Sequence, residues 1–470
     1  MKKTFTFLLG MLGAFAVRAQ QGTYNYYYGN LHAHSSYSDG NQDHATSGHV
    51  TPFQNFVYAS GSLNFDFLGI SEHNHSQAGM QLANYAKGLR QADSATVNGQ
   101  FVALYGMEWG VISGGGHMLV YGVNDLIGWE TGNYNVYVPK SNYQNLYKEI
   151  NKRPGAFALL AHPQTGDYNN LATAAFNLVA DSALVGTPMR SGPATSVNTT
   201  YLNPSTSSYE SVYRTLLARG YHVGISLDHD NHKTTFGRTT PGRLVVMAPA
   251  LTKADLMQAL RARRFYASDD WNTQVNFTLN NEPVGSIFQG GSQANISVNV
   301  TDADNETVRS ITLMKGTPGS GQNAVSVAST NSGVSALSYV DNAASGSAYY
   351  YAVIIQNDGD RIVTSPIWYT RGAVTGEKPV QEEETAFRVY PNPVGQAEVT
   401  LSYFLKEQAP VRLEVLDALG REIMVVADEE KQTAGSHAYQ LQSQHFKAGV
   451  YTIRLIRNGL ASYRKLIVTH

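Results

Sequence analysis

The chain contains no cysteine. Disulfides therefore contribute nothing to its stability, and neither a thiolate metal ligand nor a cysteine nucleophile is available. Charge is scarce as well. Asp, Glu, Lys and Arg make up 15% of the 470 residues, and the formal net charge is −2. That balance implies no basic face, so duplex nucleic acid is not an expected partner. Beyond the first twenty residues no apolar run reaches the length of a bilayer span, so no membrane span is expected. A G-x-S-x-G nucleophile elbow is missing. Gly114-Gly115-Gly116 lacks the Lys-Ser/Thr of a phosphate-cradling loop and reads as a turn. No repeat is evident.

What the chain does contain is histidine beside carboxylate, at the ends of apolar runs. Leu31-His32-Ala33-His34 is followed by Asp39. In an extended segment His32 and His34 point the same way, because side chains alternate faces. Phe65 to Ile70 runs into Ser71-Glu72-His73-Asn74-His75, and Phe101 to Met107 ends at Glu108. His117 starts the run Met118 to Tyr121, and Ala156 to Ala161 ends at His162-Pro163. His222 to Leu227 ends at Asp228-His229-Asp230-Asn231-His232. Four of these five runs carry the polar cluster at the C-terminal end, where parallel strand–helix barrels place their chemistry. Amphipathic helices are expected at Gln77–Arg90, Tyr143–Arg153, Tyr209–Arg219 and Lys253–Arg264. Alternating strands and helices argue for a parallel sheet or barrel.

In this order the pieces resemble the PHP (polymerase and histidinol phosphatase) domain. The resemblance spans roughly residues 27 to 271. It implies a distorted (β/α)7 barrel with two or three divalent metal ions (Zn, Mn or Fe) and hydrolysis of phosphate esters. In the family pattern His32, His34, Glu108 and Asp230 hold one metal. Glu108 bridges to a second metal held by His117 and His162, while Asp39, His73 and His232 hold a third. Glu72 replaces the Asp that usually precedes the motif histidine. In the last motif Asp230 and His232 fit the spacing, and Asp228 and His229 remain alternatives as ligands or as their partners.

Ions sharing Glu108 would share a water and lower its pKa, and the hydroxide so made attacks without a protein nucleophile. Arg238, Arg243 and Arg264 are candidates for gripping a substrate anion, as are Lys233, Arg261 and Arg263. The cations that end the last helix equally suit its carbonyl end. Glu108, His75, Arg238 and Arg264 are therefore the candidate catalytic residues. His75 has no matching family position and, like His44, His49 and His222, also reads as a surface or packing histidine.

The termini speak to location. Lys2 and Lys3, an apolar stretch from Phe5 to Val17 and the Val17-Arg18-Ala19 site read as a signal peptide, 1–19. At the other end come Tyr390-Pro391-Asn392-Pro393, an Asp417-to-Arg421 turn, Ala448-Gly449-Val450-Tyr451 and Lys465 to Val468. These resemble the C-terminal sorting domain of the type IX secretion system of Bacteroidetes. The resemblance implies partnership with that machinery, a secreted or cell-surface location and removal of the domain.

The expected division is signal peptide 1–19, barrel 20–271, immunoglobulin-like β-sandwich 272–372, linker 373–384 and sorting domain 385–470, a second small β-sandwich. The expected function is a secreted metal-dependent hydrolase acting on a small-molecule or nucleotide-like phosphoester. The alternatives are an ester, carbamate or amide hydrolase and a non-catalytic metal-binding surface module. The stretch from Gln164 to Ser208 carries no motif and is expected as a lid or wall.

Overall fold

The computed structural model describes residues 24–372 and 387–469, apart from 63, 202–206, 344, 406, 418–420 and 458–459. The expected leader, 1–19, and linker, 373–384, lie outside the described residues. The fold is mixed: few and short helices, many strands and several sheets.

The first region begins with β1 (Asn25–Asn30), α1 (His44–Ser47), α2 (Pro52–Ser60), β2 (Phe67–His73) and α3 (Leu82–Ala95). It continues with β3 (Val102–Val111), β4 (Gly116–Tyr121), the short pair β5 (Ile127–Gly128) and β6 (Val136–Tyr137), α4 (Tyr143–Asn151) and β7 (Phe157–Ala161). Then come α5 (Asp167–Asn170), α6 (Leu178–Ala183), β8 (Leu184–Pro188), α7 (Glu210–Ala218) and β9 (Gly224–Ser226). β10 (Arg243–Ala248), α8 (Lys253–Arg261) and β11 (Phe265–Ser268) close it.

The hydrogen-bonded strand order is β11-β10-β1-β2-β3-β4-β7-β8-β9, and β9 lies against β11. β1, β2 and β3 are parallel, as are β7, β8 and β9. β4 runs antiparallel to both β3 and β7. That reversal explains the one apolar run whose histidine comes first. His117 opens β4 and pairs with Gly110 and Ala161 in register. An antiparallel strand brings its start to the edge where its neighbours end.

The central strands are buried along their whole length, as apolar runs covered on both faces must be. Leu104, Leu119 and Leu159 pack in one core; Tyr105, Val120 and Leu160 pack in another across the sheet. The four expected helices appear within a few residues as α3, α4, α7 and α8. α2 was not among them, although Thr51 and Gln54 form a capping box with Pro52 at the first position. The stretch from Gln164 to Ser208, expected as a lid or wall, contains β8, a buried strand between β7 and β9.

The middle region consists of β12 (Gln274–Leu279), β13 (Glu282–Pro283), β14 (Ile287–Gly290), β15 (Ala294–Thr301) and β16 (Val308–Gly316). β17 (Val325–Ser329), β18 (Ala336–Asp341), β19 (Gly346–Gln356), β20 (Arg361–Thr364) and β21 (Ile367–Arg371) follow. Strands β13-β12-β15-β18 form one sheet. The others continue the first region's sheet, because β20 pairs with β11 through Tyr266↔Thr364, Ala267↔Val363 and Ser268↔Ile362. Tyr28, Val245 and Tyr266 share one core with Val275, Phe277 and Ile354. The middle region is thus packed on the first, not suspended from it.

Carboxylates crowd this junction. Burial and the charges of Asp358, Asp270, Asp302 and Asp304 push Glu306 up to about 7. Burial, Asp358, Asp269, Asp270 and Glu306 push Asp360 up to about 7 as well.

The last region forms two antiparallel sheets. One joins Arg388–Tyr390, Glu398–Leu405 and Gly435–Gln442; the other joins Ala409–Leu416, Glu422–Gln432, Gly449–Arg457 and Leu460–Val468. Val399, Leu401, Leu413, Ile453 and Leu466 fill the space between them. Asp417 accepts hydrogen bonds from the Arg421 backbone and guanidinium, closing the expected turn.

Candidate metal centre

Glu108 organises the centre. It lies inside β3, is fully buried, and pairs in register with His73 on β2. Its two oxygens face different histidines. Oε2 lies 3.0 Å from His32 Nε2, 3.1 Å from His34 Nε2 and 3.5 Å from His73 Nδ1. Oε1 lies 2.9 Å from His117 Nδ1 and 3.0 Å from His162 Nε2. Asp230 Oδ1 stands 3.0 Å from His32 Nε2 and 3.2 Å from His34 Nε2. Asp39 Oδ1 stands 3.7 Å from Nε2 of both His73 and His232.

Three groups result, each with donor atoms within 4.8 Å of one another: His32, His34, Glu108 and Asp230; His73, Glu108 and His117; His34, Asp39, His73 and His232. His162 joins them through Glu108 Oε1. Thus all nine residues expected as ligands are brought together.

The donors suit a divalent ion. Two atoms separated by about 3.0–3.5 Å both reach an ion at about 2.1 Å when they subtend roughly 90–110° at it. His32 Nδ1 and Nε2, His34 Nδ1, His73 Nδ1, His117 Nδ1 and Glu108 Oε2 are buried without a hydrogen bond of good geometry. Buried polar atoms left in that state are costly, and a cation would satisfy His32 Nε2, His73 Nδ1, His117 Nδ1 and Glu108 Oε2, whereas His32 Nδ1 faces Asp228. Imidazole with carboxylate accommodates Zn, Mn or Fe without choosing among them.

Electrostatics follow from the crowding. Burial raises Glu108, but His32, His117 and His73 overcome it and hold the carboxyl well below its usual range. Burial likewise opposes ionisation of Asp230, and His32 and His34 hold it well below. Burial disfavours protonation of His34, yet Asp230 and Glu108 raise it to about 10. The same contest leaves His32 and His162 raised. Burial pushes His73 well down and, with His34, lowers His232.

The last motif divides by geometry. His229 turns away: its Nε2 meets the Gly242 carbonyl at 2.8 Å and its ring stacks near Phe65. Asp228 stands behind the centre, with Oδ2 3.6 Å from His32 Nδ1 and Oδ1 accepting from Ser226. A carboxylate there orients an imidazole instead of holding an ion. Asp230 is at φ 55° and His162 at φ 33°, left-handed conformations uncommon for these residues. Strain of that kind gathers where a side chain must be aimed. Asp230→Asn and His232→Ala are each expected to lower bound metal, with His229→Ala milder. Elemental analysis of the three purified variants checks the order; a reversed order moves the site to Asp228 and His229.

Supporting side chains surround the cluster. Asn30 accepts from the His32 and His229 backbone and donates to the His32 carbonyl, clamping the two histidine segments together. Glu72, at the place of the usual Asp, accepts from Ser35 N, Ser35 Oγ and Ser38 Oγ. It therefore fixes the loop that delivers Asp39.

The expected cationic grip needs correcting. Arg238 lies over the Tyr58 ring at 4.6 Å. Arg264 lies over Tyr24, which precedes β1, whereas the ligands follow β1. Arg243 is fully buried and donates to the carbonyls of Asn64, Gly237, Thr240 and Gly242. Arg261 and Arg263 serve the carbonyls of Ala156 and His222. In each case backbone carbonyls or an aromatic face hold the guanidinium. His75 stays at the rim, its ring stacked on Trp129 and 5.8 Å from that of His73. His44, His49 and His222 bond to Asn41, Ser47 and Asp181.

A family model described as the secretion system C-terminal sorting domain matches residues 388–469. The chain therefore carries a domain for type IX export, to the cell surface or the extracellular space. No curated protein matches the chain. Among solved structures, a two-domain Bacteroides vulgatus protein containing a predicted PHP-like metal-dependent phosphoesterase is similar at 11% identity and TM-score 0.33, covering 92% of this chain and 100% of its own. Fibronectin(III)-like modules of Clostridium thermocellum CbhA align at 16% identity and TM-score 0.18, covering 42% of this chain and 93% of their own. Similarities this distant bear on neither the fold nor the chemistry of the chain. No helix among the described residues is long and apolar enough to cross a membrane.

Proposed function

We propose that this chain is an exported metal-dependent hydrolase, and that its substrate is a phosphoester. The reading that supports this treats the first region as a distorted (β/α)7 barrel and the nine clustered residues as ligands to two or three ions. One observation carries it: the two oxygens of Glu108 face separate sets of imidazoles, His32 and His34 on one side and His117 and His162 on the other. A carboxylate so placed is built to bridge. Closely spaced divalent ions supply Lewis acidity and a nucleophile at neutral pH, and they neutralise the charge of a transferring phosphoryl group.

The protein's own part is positional. Glu108 and Asp230 keep negative charge in a buried site, because the histidines hold both carboxyls ionised. Asp228 and Asn30 fix the ring and backbone of His32, and Glu72 fixes the Asp39 loop.

A second reading has one observation in its favour. Arg238, Arg243 and Arg264 serve other partners, so none of the three grips an anion at the centre. A neutral aryl ester or carbamate needs no such grip. Assays of zinc- or manganese-loaded protein decide between them. Phosphomonoesters or phosphodiesters are expected to turn over fastest, with inorganic phosphate a competitive inhibitor. Faster turnover of neutral aryl esters, without phosphate inhibition, would establish the carbonyl reading.

A further inference from the structure

The turn after His162 reaches back to the centre through a single phenol. Tyr168 is buried, and its hydroxyl donates to the His117 carbonyl at 2.9 Å and to the Ala161 carbonyl at 3.0 Å. One of these carbonyls belongs to an expected ligand, and the other immediately precedes one. The sequence assigns Tyr168 no part, because it lies in the stretch from Gln164 to Ser208 that carries no motif.

Two imidazoles here face the same oxygen. His117 Nδ1 and His162 Nε2 lie 2.9 Å and 3.0 Å from Glu108 Oε1. Regular strand geometry opposes this. His117 on β4 is paired in register with Ala161 on β7, so those two side chains share a face of the sheet. Alternation would then send His162 to the other face. The left-handed φ of 33° at His162 breaks the alternation, and its ring lies 5.3 Å from that of His117 between centroids. A residue other than glycine keeps such a conformation only where its surroundings impose it.

Tyr168 supplies the constraint. The Ala161 carbonyl and the His162 nitrogen lie in one rigid peptide plane, and φ of His162 is the rotation about the next bond. A hydrogen bond on that carbonyl therefore fixes the plane from which the His162 ring is aimed. The same hydroxyl holds the His117 carbonyl, so the two histidine segments are set relative to each other.

Tyr168 is itself held in a costly conformation. Tyr168, Asn169 and Asn170 stand at φ 57°, 60° and 60°. Asparagine tolerates the left-handed region through its short polar side chain, whereas tyrosine rarely enters it. The Tyr168 N–H donates to the Gly115 carbonyl at 2.7 Å, and the ring meets Tyr143 edge-on at 5.5 Å between centroids. Tyr143 in turn donates to the Gly116 carbonyl at 2.6 Å. A Cβ on Gly116 would lie 2.8 Å from the Asp167 carboxyl, so the glycine turn before His117 interlocks with the turn after His162.

We propose that Tyr168 is the positioning residue for the His117–His162 half of the centre, joining the two segments so that both rings meet Glu108 Oε1. This rests on reading the nine clustered residues as ligands. The half formed by His32, His34 and Asp230 has its own supports in Asn30 and Asp228. Loss of the Tyr168 hydroxyl should therefore reach one half only.

Tyr168→Phe keeps the ring and removes that hydroxyl. The full chain, loaded with zinc, is challenged with graded chelator, which measures metal affinity without any substrate. Wild type should hold at least about two equivalents. Tyr168→Phe should weaken one of them about tenfold, the usual cost of losing a group that orients a ligand, and leave another within about twofold. In a His162→Ala background, where that equivalent is already lost, adding Tyr168→Phe should change the remaining affinity less than about twofold. Tyr85→Phe, which frees the Val123 carbonyl from another buried phenol, should leave every equivalent unchanged. Asp167→Ala loosens the turn from its partly exposed start, where Asp167 accepts from Gln164 N, and should weaken the same equivalent to a smaller degree. It decides the matter if Tyr168→Phe does not fold. An equal loss at every equivalent, or no loss in either Tyr168→Phe or Asp167→Ala, would overturn the positioning role and leave the ligand reading intact. Fewer than about two equivalents in wild type would overturn both.

Discussion

Glu108→Gln should lower turnover at least about a hundredfold while leaving the fold intact, which is the cost of removing one group that stabilises a transition state. The substitution keeps the size of the side chain and one carbonyl oxygen. It removes the charge that faces His32 and His34 on one side and His117 and His162 on the other. It also introduces an amide whose hydrogens point at one of those sets of imidazoles. Loss is expected in kcat more than in KM, because the carboxylate touches the reacting centre and not the remote parts of a substrate. Bound metal should fall as well, measured by elemental analysis on the same preparation. Turnover within threefold of wild type would exclude bridging by Glu108. No single histidine should match it, since Glu108 alone presents one oxygen to His32 and His34 and the other to His117 and His162.

Much of the cluster was legible because several of its residues sit at or just past the end of a strand. An apolar run ends, the chain leaves the buried sheet, and the next polar side chain lies at its edge. His162 follows that rule, and His117 follows it in reverse because β4 is antiparallel, whereas Glu108 lies inside β3, which continues to Val111. The spacing of His32 and His34 conveyed their shared direction, although both lie just beyond β1 and not on it. In Asp228-His229-Asp230-Asn231-His232, alternation alone offers two equivalent sets. Only the fold decides which faces the centre, by pinning His229 to Gly242 and Asp228 behind His32.

The arginines failed for a related reason. Being close to a motif in sequence said nothing about which carbonyls Arg243 would meet, because Asn64 lies 179 residues away from it. The register of β20 on β11 was likewise not legible, since it joins segments almost a hundred residues apart. The strand β8 was hidden for want of length: five residues, one of them proline, give too little pattern to separate a strand from a loop.

Metal affinity should depend steeply on pH, and the direction follows from the histidines. In the metal-free chain burial works against protonation of His34 and His32, but Asp230 and Glu108 prevail: His34 is raised to about 10 and His32 is raised well above its ordinary value. Both therefore carry protons at neutral pH that a metal ion must displace. His73 stays neutral, because burial lowers it. Glu108 and Asp230 are ionised throughout, so they release nothing. Binding to the group of His32, His34, Glu108 and Asp230 should thus release two protons, and its affinity should rise about a hundredfold per pH unit between roughly pH 6.5 and 8.

Stability without metal should move the other way. A raised histidine stabilises the fold fully below its unfolded value of about 6.5. For His34 that contribution is lost as pH rises toward about 10. The metal-free chain should therefore melt at lower temperature as pH rises from 6.5 to 9, while the gap to the metal-loaded chain widens. Zinc titrations against a competing chelator at pH 6.5, 7.25 and 8, with melting curves of both forms, measure both trends. A flat affinity across that range would mean that His32 and His34 are already neutral before metal arrives, and that Glu108 and Asp230 do not hold charge beside them.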